Sequence, residues 1–429
     1  MSEFWRLLRE NRNYRCTWLG QVVSEIGDFF NNVAVLSLVV RTTGSGLALG
    51  GLMLARTIPA LLAAPAAGVL LDRVDRRRIM IASDLLRAVV AAGFVLVAYR
   101  PSTTLLYVLS GLLMFASPFF SSGRAAILPA IASPAELHTA NSLTQTTQWA
   151  TLTIGTMLAG FAVARLGFAG AFLVDSASFV LSALAIAALH REGGFVARGT
   201  AGRGAVRPWH EYREGLVFVA RTPLVLGIGL VSVGWAAGGG AAQILFALFG
   251  EQVFGRGPAG IGTIWGFAGI GLLLGAGLGH ALGGRVGFAG YKRTVTLSYL
   301  SHGAAYAAFS VTREYAAALA WIAVSRVGMA TTSILNYTQL LRHTPDELRG
   351  RVFSTLESLR WSTMIISFAA AGIASEHYSP RAIGVVAGAL GALTGVLWAV
   401  ADWAGKLPEP TSVEGASGEP APSPAAQPV

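Results

Sequence analysis

Four polar side chains recur along the first long apolar stretch of this sequence: Gln21, Glu25, Asp28 and Asn32. Their spacing of four, three and four residues places them on one face of a helix. Burial favours the neutral form of a carboxyl group, and a second carboxylate one turn away favours it further. Such a group can load and release a proton near neutral pH. We therefore predict proton exchange at Asp28, with Glu25 second.

Arg56, in the next apolar stretch, offers a different interpretation of Asp28. A static Asp28–Arg56 ion pair would hold two helices together, and structural ion pairs also perturb titration. The sequence leaves both interpretations open.

Other charged residues within apolar stretches form two close pairs. Asp84 and Arg87 are three residues apart, as are Glu357 and Arg360. Ionisable groups are costly in lipid unless they face a partner or a cavity. The spacing predicts a local ion pair in each case.

Asp175 and Arg326 have no oppositely charged residue three or four positions away. For Asp175, packing between helices through hydrogen bonds is favoured over a role as a cavity acid. Arg326 has no obvious local partner. It can meet an anionic substrate if its helix lines a cavity, or it can snorkel or bond to the backbone.

The composition shows which elements must position these residues. Of the 429 residues 53% are hydrophobic and only 13% are charged, and the mean hydropathy is +0.57. Soluble domains carry about twice that charged fraction. Apolar stretches long enough to cross about 30 Å of hydrocarbon recur along the chain. We predict an all-α membrane protein with twelve spans, at about 14–40, 46–71, 79–99, 102–127, 140–165, 168–189, 222–249, 258–284, 291–311, 315–341, 352–376 and 381–403.

Most of the 32 Lys and Arg residues fall on one side of these spans, and we counted Arg124 with that side. The positive-inside rule makes that side cytoplasmic, with both termini and the central loop. The predicted organisation has four parts: a six-helix half at 1–189, a basic cytoplasmic loop at 190–221, a second six-helix half at 222–403 and a disordered cytoplasmic tail at 404–429.

The two halves match each other at a fixed offset. Glycines 46, 51 and 68 recur 211 residues later, and Trp149, Thr151 and Gly160 recur 212 residues later as Trp361, Thr363 and Gly372. This shared spacing indicates duplication. Two parallel six-helix repeats are typical of secondary transporters, with the substrate path between the halves.

The loop between spans 2 and 3 carries the most specific motif, Gly68-Val-Leu-Leu-Asp72-Arg73-Val-Asp75-Arg76-Arg77-Arg78. It resembles the G-x-L-x-D-R-x-x-R-R motif of the major facilitator superfamily, which implies a twelve-helix fold in two pseudo-symmetric halves. Gly68 allows a close helix approach near the cytoplasmic end of span 2. In that family the motif is a cytoplasmic latch between halves, a role that the resemblance assigns to Gly68, Asp72, Arg73 and Arg76. Plain positive-inside charge without gating is the alternative.

Further stretches resemble the exporter branch of drug/proton antiporters, which includes macrolide and siderophore exporters. They are Ser24-Glu25-Ile-Gly27-Asp28, Arg56-Thr-Ile-Pro59, Ala125-Ala-Ile-Leu-Pro129 and Gly155-Thr156-Met-Leu-Ala159-Gly160, the last with Thr156 where the antiporter motif has proline. The resemblance implies proton-driven export of small bulky or amphipathic compounds from the cell. Uptake by the same fold, a non-transporting sensor and a membrane enzyme are the alternatives.

Several side chains are expected to line a mainly apolar substrate cavity. We predict small-molecule substrate, protons and membrane lipids as partners, with one chain sufficient for function. We predict no nucleic acid, metal or cofactor, since the positive charges lie in loops and the histidines are dispersed. The nucleotide-binding and hydrolase motifs G-x-x-x-x-G-K-[ST], H-E-x-x-H and G-x-S-x-G are also missing, so we predict no enzyme. The cavity residues are Phe30, Asn32, Trp235, Gln243, Asn336 and Tyr337.

Overall fold

The computed structural model describes residues 3–190, 195 and 208–410 of the chain. Thirteen α-helices account for almost all of them. Their bounds are α1 Glu3–Glu10, α2 Arg12–Thr43, α3 Gly46–Arg73, α4 Arg76–Tyr99, α5 Thr103–Ile131, α6 Leu137–Ala187, α7 Pro208–Arg221, α8 Pro223–Leu248, α9 Gly257–Gly283, α10 Phe288–Val311, α11 Tyr315–His343, α12 Asp346–Ala374 and α13 Pro380–Trp403, with a π-helical turn at Phe249–Val253 after α8.

The predicted twelve spans correspond to these helices. Spans 1 to 4 are α2 to α5, spans 5 and 6 are the two parts of α6, and spans 7 to 12 are α8 to α13. Within the described ranges, nine helices are apolar and long enough to cross a membrane by length and composition alone. Helix α6 counts once among the nine, and α10 and α12 are not among them, since polar and charged residues lower their mean hydropathy. The all-α fold with twelve crossings is confirmed.

Spans 5 and 6 are joined without a loop, through a bend at Gly167. This residue has φ 72° and ψ 175°, a conformation that favours glycine. Several of the other helices begin, after a short turn, with a side-chain cap. Ser45, Ser102 and Ser379, for example, each accept a hydrogen bond from a backbone amide of the first turn that follows.

The region predicted as the central loop contains a helix that we did not predict, α7. It is amphipathic and packs against α8 and α12. Residues 191–194 and 196–207 of the predicted loop lie outside the described residues, as do residues 411–429 of the predicted disordered tail.

The internal repeat is visible in the packing of the two halves. In the first half α2 packs on α6, α3 on α5, and α4 on both α5 and α6. In the second half α8 packs on α12 and α13, α9 on α11, and α10 on both α11 and α13. These are the same pairs of spans in the two repeats. Below, the halves are called the N half (α2–α6) and the C half (α8–α13).

The two halves meet closely where backbones touch at glycines. A Cβ at Gly160 of α6 would lie 3.0 Å from the Cα of Gly262 in α9, and one at Gly50 of α3 would lie 3.2 Å from the Cα of Gly372 in α12. Gly160 and Gly372 are repeat equivalents, and Gly50 precedes Gly51, the equivalent of Gly262. The duplicated glycines thus form two related crossings between the halves.

Both crossings lie toward one face of the bundle. We call the face where α2 begins and α13 ends the terminal face, and the other the opposite face. At the opposite face, the carboxylate of Glu251 in the π-helical turn accepts hydrogen bonds from Ser37 and, at 3.2 Å, from Nε of Arg41 in α2. At the terminal face Gly68 has open space within 4 Å of a Cβ position. The close glycine crossings between the halves therefore lie toward the opposite face, and none is made at Gly68 on the terminal face.

Candidate functional site

The polar residues of α2 divide between two faces of the helix. Glu25, Asp28 and Asn32 are half-buried, as their predicted common face requires. Gln21, from the same predicted set, is buried instead. Gly27 and the fully buried Asn31 face α6, which packs along this side of α2.

Glu25 is held by three side chains from three helices. Its carboxylate accepts hydrogen bonds from Thr151 of α6 at 2.6 Å, from Gln21 at 2.9 Å and from Nη1 of Arg124 in α5 at 3.3 Å. Arg124 is 14% exposed. Arg124, which we counted with the cytoplasmic side, thus lies inside the N half as the partner of Glu25 and is not a free surface charge.

Asp28 is held much more loosely. Its side chain is 34% exposed, and its nearest cation is Nη1 of Arg87 at 3.9 Å. Arg56, the partner considered from the sequence, forms no ion pair with any described carboxylate. The static Asp28–Arg56 bond is thus not made in this structure, and Asp28 keeps a face open to solvent or ligand.

Arg87 is the centre of the buried charges in the N half. It is 3% exposed and bonds to Asp84, which is fully buried, so the predicted Asp84–Arg87 pair is present. The guanidinium carbon lies 4.7 Å from the ring centre of Phe120 and 4.3 Å from that of Phe179. Arg87 also reaches toward Asp28, so one cation serves two carboxylates.

Arg56 faces a cavity between the halves. The cavity holds about 360 Å³ and has the polar side chains of Asn32 and Gln243 in its wall, as the sequence predicted for these two residues. Trp361 and Phe368 of α12 supply the C-half side. Arg56 is thus a cavity cation rather than the holder of Asp28.

Asp175 is fully buried between α6 and α2. Neither of its carboxylate oxygens has a hydrogen bond of ordinary geometry within the described residues, and Asn31 is a polar neighbour. A Cβ at Gly27 would lie 3.0 Å from Oδ1. This position fits the packing interpretation of Asp175, although the predicted hydrogen bonds are not seen.

The C half holds a second cavity, of about 250 Å³. Trp235, Asn336 and Tyr337, three of the residues proposed from the sequence for a substrate cavity, line it. Arg360 also lines it and bonds to Glu357, so this predicted pair is present. Asn336 accepts a hydrogen bond from Tyr291 at 2.8 Å, which fixes the orientation of its amide.

Phe30 does not line either of these cavities. It is 9% exposed and belongs to the hydrophobic core, whereas its neighbour Phe29 is half-buried and contacts the backbone region of Gly155. The expectation for Phe30 was therefore wrong. A helix turns by about 100° per residue, so two adjacent phenylalanines cannot both face the cavity.

Arg326 is the most isolated charge in the C half. It is 7% exposed, so it does not snorkel, and among the described residues its polar contact is from Nη1 to the sulfur of Met329 at 3.7 Å. No backbone carbonyl of the described residues accepts a hydrogen bond from it, so the alternative of bonding to the backbone is also not seen. The guanidinium carbon lies 5.4 Å from the ring centre of Phe246 and 5.7 Å from that of Tyr306.

The loop motif has two differently placed parts. Asp72 and Arg73 are exposed and form no ion pair with other described residues. Arg76 donates from Nη1 to the carbonyl of Ala126 at 2.7 Å, which ties the loop to the end of α5. The close helix approach expected at Gly68 is not made in this conformation.

Sequence reasoning missed two polar contacts. Arg124 was placed by its distance from a span end, which does not report depth. Glu251 was not singled out. It follows a long apolar stretch, as Arg41 does, and an acid and a base at the ends of two spans indicate a possible ion pair between them.

The arrangement combines a partly exposed carboxyl group with two cavities and with close glycine crossings between the halves toward one face. Such a site can bind a proton at Asp28 and a small amphipathic molecule nearby. The described residues include no cluster of three His, Cys, Asp or Glu side chains able to hold a metal ion.

Comparisons with known proteins agree with this architecture. The profile of the Major Facilitator Superfamily matches residues 17–367. The uncharacterized MFS-type transporter YfiS of Bacillus subtilis is 26% identical over 91% of this chain and 93% of its own length. The multidrug efflux pump Tap of Mycolicibacterium fortuitum is 29% identical over 81% of this chain and 85% of its own length, which agrees with the exporter branch suggested by the motifs.

The fold is also that of solved transporters. The crystal structure of the nucleoside transporter NupG (D323A mutant) superimposes with a TM-score of 0.72 at 12% identity, covering 90% of this chain and 99% of that one. At this identity the likeness shows the fold alone. Together with the match over most of the sequence, it establishes that this chain belongs to the major facilitator superfamily of membrane transporters.

Proposed function

We propose that this protein exports small bulky or amphipathic compounds from the cell in exchange for protons, by alternating access. The similarity to a multidrug efflux pump supports the direction and the substrate class. The observation that carries proton coupling is Asp28, a carboxyl within the membrane-spanning bundle that is 34% exposed and 3.9 Å from its nearest cation. Such a group can gain or lose a proton without breaking a tight ion pair.

Glu25 is the weaker candidate for the coupling group. Its three hydrogen bonds satisfy the ionised form and must be broken or rearranged on protonation. We assign it to holding α2, α5 and α6 together in the N half.

The terminal face is cytoplasmic in this proposal, because most Lys and Arg residues lie there, and the membrane is the cell membrane. Gly68, Asp72 and Arg73 would latch the halves at this face in the alternate, outward-open state, while Arg76 anchors the loop. One chain contains both halves and is sufficient for transport.

The test uses the purified protein in liposomes that contain a pH-sensitive dye. A panel of lipophilic drugs, siderophores and lysolipids is added without a preset proton gradient. We expect a proton flux that depends on one class of compound and is abolished by Asp28→Asn, since the amide cannot titrate. Asp346→Asn, at a carboxyl that is 78% exposed, is the matched control and should retain the flux.

Glu25→Gln separates the two acids. A reduced but persistent proton flux is expected, because the amide keeps part of the hydrogen-bond network. Undiminished substrate-dependent proton movement in Asp28→Asn would contradict the assignment, and its loss in Glu25→Gln alone would move the coupling to Glu25.

A further inference from the structure

Arg326 carries a buried charge that the described protein does not balance. It is 7% exposed, and the described residues offer it neither a carboxylate nor a backbone carbonyl. Removing the partner of a buried charge is strongly unfavourable in proteins. A guanidinium enclosed in this way is therefore expected to find its anion in a ligand.

Two further hydrogen-bond donors near Arg326 also lack acceptors. The hydroxyl of Tyr306 and the indole Nε1 of Trp265 are buried atoms without a hydrogen-bond partner in the described structure. The ring centre of Tyr306 is 5.7 Å from the guanidinium carbon, and Trp265 packs edge-on against Phe246 at 5.0 Å, on the aromatic residue that Arg326 also contacts. Buried donors are normally satisfied, so the cluster is rich in donors and poor in acceptors.

Met329 connects this cluster to the C-half cavity. Its sulfur is 3.7 Å from Nη1 of Arg326, and its side chain lines the cavity of about 250 Å³. The thioether is flexible and apolar, so it can move aside at low cost. Arg360, the cation that lines this cavity, is already paired with Glu357.

We propose that Arg326 binds the anionic group, a carboxylate or a similar oxyanion, of an amphipathic compound whose apolar part lies in the C-half cavity. Charge-assisted hydrogen bonds from a guanidinium suit such a group, and the aromatic enclosure excludes competing water. The proposal rests on the proposed function, because it names the chemical class of the transported compound. Its test measures binding and needs no proton flux.

The probe is 11-(dansylamino)undecanoic acid, whose fluorescence reports transfer to an apolar site, compared with its methyl ester. The ester lacks the negative charge and carries one additional methyl group. We expect the wild-type protein in detergent to bind the acid about tenfold or more tightly than the ester, as a charge-assisted hydrogen bond implies. Arg326→Met should abolish this preference by weakening binding of the acid, and Arg326→Lys should retain part of it.

Arg285→Met is the matched control, since it removes the same charge from an exposed position of the C half. It should leave the preference for the acid unchanged. Equal binding of acid and ester to the wild type would overturn the proposal, as would an undiminished preference in Arg326→Met. If Arg326→Met does not fold, the ratio of the affinities for the acid and the ester, measured in the wild type and in Arg326→Lys, still tests the proposal.

A failure of the proposed proton exchange can be distinguished from a failure of the proposed anion site. Absence of proton flux in liposomes, with the acid preference intact, would leave the anion site and remove proton exchange. Proton flux driven by uncharged compounds, without an acid preference, would do the reverse.

Discussion

Two buried arginines show how the halves of this transporter differ. Arg87 in the N half and Arg326 in the C half are 3% and 7% exposed, and each lies between two aromatic rings. Arg87 bonds to Asp84 and reaches Asp28. Arg326 has no carboxylate partner among the described residues. An aromatic enclosure is thus common to both, and the acids are what distinguish them.

The difference suggests how the two halves of a duplicated fold can take on different functions. In the N half, four carboxyl groups (Glu25, Asp28, Asp84 and Asp175) are packed with three arginines (Arg56, Arg87 and Arg124). The acids outnumber the cations by one, so one carboxyl group can carry a proton within the half. In the C half, Arg326 has no acid partner among the described residues, and we propose that a bound anionic compound supplies one. Proton exchange and ligand recognition are therefore proposed for different halves.

The largest effect is expected where the internal balance of the N half is broken. Arg87→Met leaves Asp84 fully buried without its cation, which costs about 3–5 kcal/mol when the partner of a buried ion pair is lost. We expect a large decrease in the melting temperature of the purified protein. The double variant Arg87→Met/Asp84→Asn should recover part of it, and an unchanged melting temperature would show that the pair is not formed.

The same substitution in the C half is expected to act in the opposite direction. Arg326→Met removes a buried charge that has no partner, so the ligand-free protein should be stabilised by about 1 kcal/mol or more. The melting temperature in detergent, measured without added ligand, reports the change. A destabilisation like that of Arg87→Met would mean that the protein itself balances Arg326, and the contrast between the halves would fail.

The smallest effect concerns the contact that joins the halves at the opposite face. Arg41 is 49% exposed, so its bond to Glu251 contributes no more than about 1 kcal/mol. Arg41→Met should leave the melting temperature nearly unchanged but raise the reactivity of a cysteine introduced at Ser37, in a Cys16→Ser background, because the seal opens more often. Arg313→Met, also near this face, is the control. Equal reactivity in both variants would exclude a sealing role for Arg41.

The sequence predicted the fold well because its strongest signals are long. Apolar stretches and the repeated offset each extend over many residues, so they identified the spans despite two polar helices, α10 and α12. Helix α7 was missed because it is a short amphipathic helix in a basic stretch, where no apolar run marks it.

The site was predicted only in part, because partners across helices depend on rotation and depth. Pairs within one helix, Asp84 with Arg87 and Glu357 with Arg360, follow from spacing alone. The choice of Arg87 rather than Arg56 for Asp28 depends on how α4 is turned toward α2, which spacing does not report.

The bend at Gly167 has a mechanical consequence. Upstream of it, Gly160 touches the C half, and downstream of it Asp175 lies within the N half. No flexible loop absorbs a displacement between them. A tilt of the first part of α6 must therefore pass to the second part through the two backbone torsions of a single residue. Gly167 thus acts as a torsional coupling that relates the position of one half to the interior of the other.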